Sequence, residues 1–198
     1  DYELTTAIVP PVEGEWYAYS DTGHDQIHSM TTEIDLSRVP SATLRFKAFY
    51  DIEPGFDYAY VEIENNDGEF VSLAVNVTTD ANPNGLNLGH GITGSSEERW
   101  VDALFNLTPY VGRSRRLRFR YVTDPAVGGK GFAIDSLSIE EIGYREPFEE
   151  SHDRWLTSGF VFVRGGEISK RYAHHYLLEW RTPYGFDEAL HSVHFFYP

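Results

Sequence analysis

The side chains best suited to chemistry in this chain are acidic. The stretch Asp21-Thr22-Gly23-His24-Asp25 sets two carboxylates and a run of flexible backbone carbonyls in one loop. Oxygen donors of this kind suit Ca²⁺, which takes roughly six to eight oxygens from carboxylates, carbonyls and water. The spacing is not that of an EF-hand, whose longer ligand run and closing glutamate are absent. Asp135 is a second focus, because it interrupts the apolar run Phe132-Ala133-Ile134. An aspartate there caps a turn, pairs with an arginine or holds a metal, since a carboxylate is rarely buried without a partner. Zinc fits less well. His24 and His28 lie in a loop, and His191 and His194 sit among Val193, Phe195 and Phe196, which have strand character. His174 and His175 are adjacent, so on a strand they face opposite ways. None of these pairs has a third ligand beside it, and a catalytic zinc site needs three. No His-Glu-x-x-His helix motif and no Gly-x-Ser-x-Gly elbow occurs, so neither zinc peptidase nor serine hydrolase chemistry is indicated for these residues.

The bulk numbers narrow the classes. The chain has 198 residues, 31 acidic against 16 basic, and a formal net charge of −15. Such a surface argues against a nucleic-acid partner, because nothing neutralises phosphates, and is compatible with bound cations. There are no cysteines, which excludes disulfides and thiolate metal sites. The opening residues show neither the basic nor the apolar stretch of a signal peptide, and no apolar run reaches the ~20 residues of a membrane span. The expectation is an excised or processed piece of something longer.

The elements that must position those acids are strands. Leu44, Phe46 and Ala48 alternate with Arg45 and Lys47, and Ala59, Val61 and Ile63 alternate with Tyr60, Glu62 and Glu64. The same period of two runs from Phe70 to Val77, and Leu117, Phe119 and Tyr121 alternate with Arg116, Arg118 and Arg120. This is the pattern of half-buried strands. Asn66-Asp67-Gly68, Asn82-Pro83-Asn84-Gly85, Gly112 and Gly128-Gly129 supply the turns between them. Many short strands with little helical pattern predict an all-β fold, an antiparallel β-sandwich or jelly roll. Phe132 and Ile134 share one face, while Leu137 and Ile139 are displaced by one residue, which predicts a β-bulge at Asp135-Ser136. The character changes near residue 143. Residues 1–143 are expected to form the sandwich. Residues 144–198 form an appended C-terminal β segment, with 144–158 as a linker or one short helix and strands resuming at Phe160–Val163 and at Tyr176–Trp180. A piece of that size is too small for its own core, so it packs on the first domain or on another part of the parent. The aromatics Trp16, Tyr17, Tyr19, Tyr58 and Tyr60 either fill the core or form a binding platform for sugar or protein. The arginines at 116, 118 and 120 make a solvated strand face or pair with the acids around Glu140 and Glu141.

Several patterns occur in a telling order. The first is Gly14-Glu15-Trp16-Tyr17-Ala18-Tyr19-Ser20-Asp21, followed by Ile34-Asp35-Leu36. Next come Asp57-Tyr58-Ala59-Tyr60-Val61-Glu62-Ile63 and Trp100-Val101-Asp102. Then follow Leu117-Arg118-Phe119-Arg120-Tyr121-Val122-Thr123-Asp124 and Gly129-Lys130-Gly131-Phe132-Ala133-Ile134-Asp135. Tyr176-Leu177-Leu178-Glu179-Trp180-Arg181 and Gly185-Phe186-Asp187-Glu188 close the set. The set resembles the C-terminal, non-catalytic region of immune-inhibitor-A-like secreted zinc metallopeptidases, with a jelly roll similar to MAM and galactose-binding-like domains. The resemblance implies a secreted, extracellular accessory region that stabilises its protease or binds a substrate or target surface. Its partners would be the parent catalytic domain and a protein or glycan surface. Zinc would belong only to the catalytic domain, which these residues do not include. The resemblance also implies a structural Ca²⁺ between an early loop and the last strand, with Asp21, Asp25, Asp57 and Asp135 as ligands and Asp51 or Glu53 in reserve. The rival reading is a free-standing carbohydrate-binding module of the same fold. A homophilic adhesion domain of MAM type is weaker, because those use cysteines.

Overall fold

The computed structural model describes residues 2–150 and 152–172. Its strands are β1 (Tyr2–Ala7), β2 (Trp16–Tyr19), β3 (Ile27–Asp35), β4 (Thr43–Ile52), β5 (Tyr58–Glu64), β6 (Phe70–Ser72) and β7 (Gly94–Ser95). They continue with β8 (Val101–Asn106), β9 (Ser114–Val122), β10 (Gly131–Ile139), β11 (Tyr144–Glu146), β12 (Leu156–Ser158), β13 (Val161–Arg164) and β14 (Glu167–Tyr172). One sheet runs β13-β2-β10-β4-β7, with β11 also on β10 and β8 also on β4. The facing sheet runs β12-β3-β9-β5-β6. Every ladder between these named strands is antiparallel. The all-β sandwich expected from the alternating runs is therefore the architecture found.

The chain divides by contacts into two units. The larger is Thr5–Ile168 and holds both sheets. In the smaller, the described residues, 2–4 and 169–172, belong to β1 and β14, which pair as a two-stranded sheet.

Alternation on the strands builds the core. Phe46 stacks on Phe105 with ring centres 5.5 Å apart and meets Phe119 edge-on at 5.3 Å. These rings, with Met30, Val61, Phe132 and Ile134, fill the space between the sheets. Burying a large apolar side chain contributes about 1.5–3 kcal/mol, so this layer dominates the stability of the sandwich. A second, smaller cluster lies on the opposite face of the β2–β10–β4 sheet. There Tyr17, Tyr19, Phe49, Ala133 and Val163 are covered by Ile8 and Val9 of the segment after β1. That segment is strapped down by Ile8 N–H donating to the Gly166 carbonyl and by the Trp100 indole donating to the Pro10 carbonyl.

The predicted bulge is present. Asp135 pairs with Lys47 and Ser138 with Arg45, so Ser136 and Leu137 on β10 stand against Phe46 alone on β4. Ser136 absorbs the extra residue in a left-handed conformation, φ 51°. The shift keeps Leu137 and Ile139 on the core face and turns Asp135 toward the strap.

Two local expectations fail for identifiable reasons. The strand expected from Phe70 to Val77 stops at Ser72. Thr78 ends it, because its hydroxyl both accepts from Val75 N–H and donates to the Val75 carbonyl, closing a turn. Asn76 then uses its side-chain amide on the Asp102 carbonyl and Leu104 N–H at the edge of β8. The linker or short helix expected over 144–158 is instead two strands, β11 on β10 and β12 on β3. Gly143 turns the chain at φ 63°, and the residues beyond it supply Phe148, Trp155 and Phe160 to the central core. Glu146 holds this region by accepting from Phe148 N–H at 2.9 Å and from the Trp155 indole at 3.2 Å. The strand expected at Tyr176–Trp180 lies outside the described residues.

Candidate metal centre

Loops at one end of the sandwich bring three carboxylates together. The β4–β5 loop is a tight turn in which Phe56 and Asp57 N–H both donate to the Glu53 carbonyl. Gly55 makes this possible at φ 82°, and the Thr93 hydroxyl braces the turn by accepting from Gly55 N–H and donating to Glu53 O. The β9–β10 loop then delivers Asp124, whose N–H donates to Asp57 Oδ1 at 2.8 Å. Gly129 lets this loop lie against β4, since a Cβ there would stand 2.1 Å from the Asp51 carbonyl oxygen. Asp51 Oδ2 fastens the loop further by accepting from Lys130 N–H at 3.2 Å. Ligand atoms of Glu53, Asp57 and Asp124 consequently lie within 4.8 Å of one another.

The electrostatics of this group are those of crowded carboxylates. Asp57 is fully buried, and its second oxygen, Oδ2, has no hydrogen-bond partner; nor has Glu53 Oε2. Burial pushes the Asp57 carboxyl up to about 6, and the neighbouring charges of Asp124 and Glu53 push in the same direction against the Asp124 N–H and His24. A buried carboxylate among like charges costs several kcal/mol unless something offsets it, and a divalent cation does so directly.

The β2–β3 loop closes the same end of the sandwich. Asp25 N–H donates to the Asp124 carbonyl at 2.9 Å, and the Thr123 hydroxyl donates to the Gly23 carbonyl at 2.9 Å. Asp21 and Asp25 both take left-handed backbone conformations, φ 58° and 54°. Of the four aspartates singled out in the sequence, Asp57 belongs to the carboxylate group and Asp25 is tied to it through the backbone. Asp21 lies in the same loop, with Oδ1 accepting from Thr22 N–H. Asp135 does something else: Oδ2 accepts from Val12 N–H at 2.7 Å, Oδ1 from Ser136 N–H at 2.6 Å, and Glu13 N–H adds a further bond. Of the reserves, Glu53 is in the group and Asp51 is beside it. Asp124 was not singled out, although an Asp-Pro step at the end of an alternating run is the kind of signal that marks a loop-end carboxylate.

The other candidates resolve plainly. Both ring nitrogens of His28 are engaged, Nδ1 with the Ser20 carbonyl and Nε2 with Gln26 Oε1, which removes the His24–His28 pair as a zinc site. The His174–His175 and His191–His194 pairs lie outside the described residues. Tyr17, Tyr19, Tyr58 and Tyr60 are buried, so they form no exposed sugar platform. The loop after β6 covers the last two: Leu88 N–H donates to the Tyr60 hydroxyl and Gly91 packs against the Tyr58 ring. Arg118 and Arg120 both pair with buried Glu62, and Arg116 with Glu64, on the neighbouring strand β5 rather than with Glu140 and Glu141.

The described residues thus form an antiparallel β-sandwich whose loops at one end gather carboxylates. The chain belongs to the immune inhibitor A-like MAM domain family, which it matches over residues 2–165. It is 33% identical over 188 residues to the pre-pro-metalloprotease PrtV of Vibrio cholerae serotype O1, a match covering 93% of this chain and 19% of that protein. It is 29% identical over 187 residues to immune inhibitor A of Bacillus thuringiensis subsp. alesti, covering 92% of this chain and 25% of that protein. The chain thus spans about a fifth to a quarter of the relatives it matches, and it corresponds to a limited region of proteins of the metalloprotease class. Among the described residues, no helix is long and apolar enough to cross a membrane.

Proposed function

We propose that this chain is a Ca²⁺-stabilised, non-catalytic accessory domain of a secreted zinc metalloprotease. The observation that carries the cation is Asp57, buried, with one oxygen unpartnered, in a group with Glu53 and Asp124. These three carboxylates would hold the ion, and carbonyls of the Asp21–Asp25 loop, tied to Asp124, would add to its oxygen shell without filling it. Ca²⁺ would lock together the β2–β3, β4–β5 and β9–β10 loops, which otherwise repel one another. Asp135 supplies no ligand in this reading, because its oxygens already accept backbone N–H groups. The accessory role rests on the family match and on the small share of the metalloprotease relatives that the chain spans. Zinc belongs to the parent's catalytic domain, and that domain is the expected partner.

Thermal melts in EDTA, in millimolar CaCl₂ and in MgCl₂ test the cation. At 100 times its dissociation constant, Ca²⁺ adds about 2.7 kcal/mol, which raises Tm by several degrees in a domain of this size. Equal melting temperatures in all three would remove the site. Proteolysis by the purified chain, lost on mutation of its own residues, would overturn the non-catalytic role.

A further inference from the structure

The end of the sandwich that carries the carboxylates also carries an unusual share of the exposed apolar side chains. Ten large apolar side chains are exposed among the described residues, and five sit here: Ile27 (69%), Phe56 (38%), Leu86 (41%), Leu88 (62%) and Val127 (65%). Their placement follows from the loops. Phe56 precedes Asp57, and Val127 is three residues beyond Asp124. Asn84 bonds the Gly55 carbonyl through its side-chain amide, which sets the loop bearing Leu86 and Leu88 beside Phe56. Ile27 opens β3 opposite Val122, the last residue of β9, which is in turn opposite Tyr58 at the start of β5. Apolar side chains on several loops therefore share one end of the sandwich with the acidic group.

We infer that these loops form a Ca²⁺-gated docking surface for a phospholipid membrane bearing anionic headgroups. The inference rests on the cation reading above. Three carboxylates leave a Ca²⁺ short of its roughly six to eight oxygens, and headgroup phosphate or serine carboxylate oxygens are of the type that completes the shell. Without the ion, the acids of these loops and the net charge of −15 repel an anionic surface. With it, the repulsion falls at the contact point and the apolar tips enter the headgroup–acyl boundary. Several side chains on separate loops, rather than one flat contiguous patch, suit a deformable lipid interface better than a rigid protein face.

The test is co-sedimentation of the full chain with phosphatidylcholine vesicles, with or without one quarter phosphatidylserine, in CaCl₂, MgCl₂ or EDTA. Binding is expected only with phosphatidylserine and Ca²⁺. Val127→Asp should weaken it by about tenfold or more, since one exposed apolar anchor is lost, while keeping the Ca²⁺ rise in Tm. Phe56→Ser should do the same and guards against a misleading single variant. Asp57→Asn should lose both binding and the Tm rise. A Ca²⁺ rise in Tm without vesicle binding would overturn the membrane inference, leave the cation site standing and assign the tips to a protein surface. Binding that survives in EDTA, or is unchanged in both loop variants, would also overturn it. Absence of both the Tm rise and the binding would remove the site and the inference together.

Discussion

Asp57 and Asp135 are both fully buried aspartates whose carboxyl pKa is raised by burial, and they have opposite characters. Asp135 projects from a bulge toward the N-terminal strap, and its oxygens accept N–H groups of Val12, Glu13 and Ser136. It stands in for a ladder, fastening the strap to the bulged strand. Asp57 accepts one N–H, from Asp124, its other oxygen has no partner, and two more carboxylates lie beside it. In the proposed Ca²⁺ site, burial alone therefore does not mark a ligand; the unsatisfied oxygen does. A buried acid with its hydrogen bonds filled is architecture, and one left short among like charges is a place for a cation.

The sharpest way to break this contrast is Asp135→Ala. It removes the acceptor of the Val12, Glu13 and Ser136 N–H groups and loosens the strap, for a loss of about 3 kcal/mol. The drop in Tm should be the same in EDTA and in Ca²⁺, and the Ca²⁺ increment should survive; loss of the increment would make Asp135 a ligand. Asp57→Asn should behave in the opposite way. It abolishes a Ca²⁺ increment of about 2.7 kcal/mol and leaves stability in EDTA equal to wild type or higher, because a repelled carboxylate is gone. Differential scanning calorimetry of the pair reads both.

Acidity sharpens the same point. In EDTA the folded Asp57 carboxyl titrates near 6 against an ordinary value of 3.8, so folding favours its protonated form. The stability this group confers is complete below the ordinary value and is lost as pH rises through about 6. The stability difference between Asp57→Asn and wild type in EDTA should therefore grow by on the order of 2 kcal/mol between pH 4 and 7. A flat difference from urea titrations would contradict the unpartnered, crowded carboxylate. The smallest effect is expected from Glu53→Gln, which keeps the shape of the turn and removes one ligand charge. It should weaken Ca²⁺ by about tenfold, or about 1.4 kcal/mol, measurable by isothermal titration.

Much of the architecture was legible from period-two alternation. The runs around Leu44–Ala48, Ala59–Glu64 and Arg116–Tyr121 are β4, β5 and β9, and the one-residue slip at Asp135-Ser136 is the bulge of β10. Alternation works there because each strand has one face against the core, and register cannot slip without exposing that whole face. It failed at Leu73–Val77, where the Thr78 and Asn76 side chains offered the backbone other hydrogen bonds. It failed again at 144–158, whose polar composition hid two short strands and the core plug of Phe148 and Trp155.

The amino-acid order by itself determined the all-β class, most strand faces, the turn positions and an acidic, cysteine-free chain with aspartates in loops and at a bulge. Those properties are local: alternation, glycine and asparagine chemistry, and charge can be read within a few residues. Only the tertiary structure decided which acids meet. Asp57 and Asp124 are 67 residues apart and come within a hydrogen bond because β5 and β9 are neighbours and their loops emerge at the same end of the sandwich. The pairing of β10 with β4, bulged after Asp135, carried that residue to the strap, where backbone N–H groups claimed it. An oxygen's free valence depends on what the fold places beside it, and that is not written in the spacing of the acids along the chain.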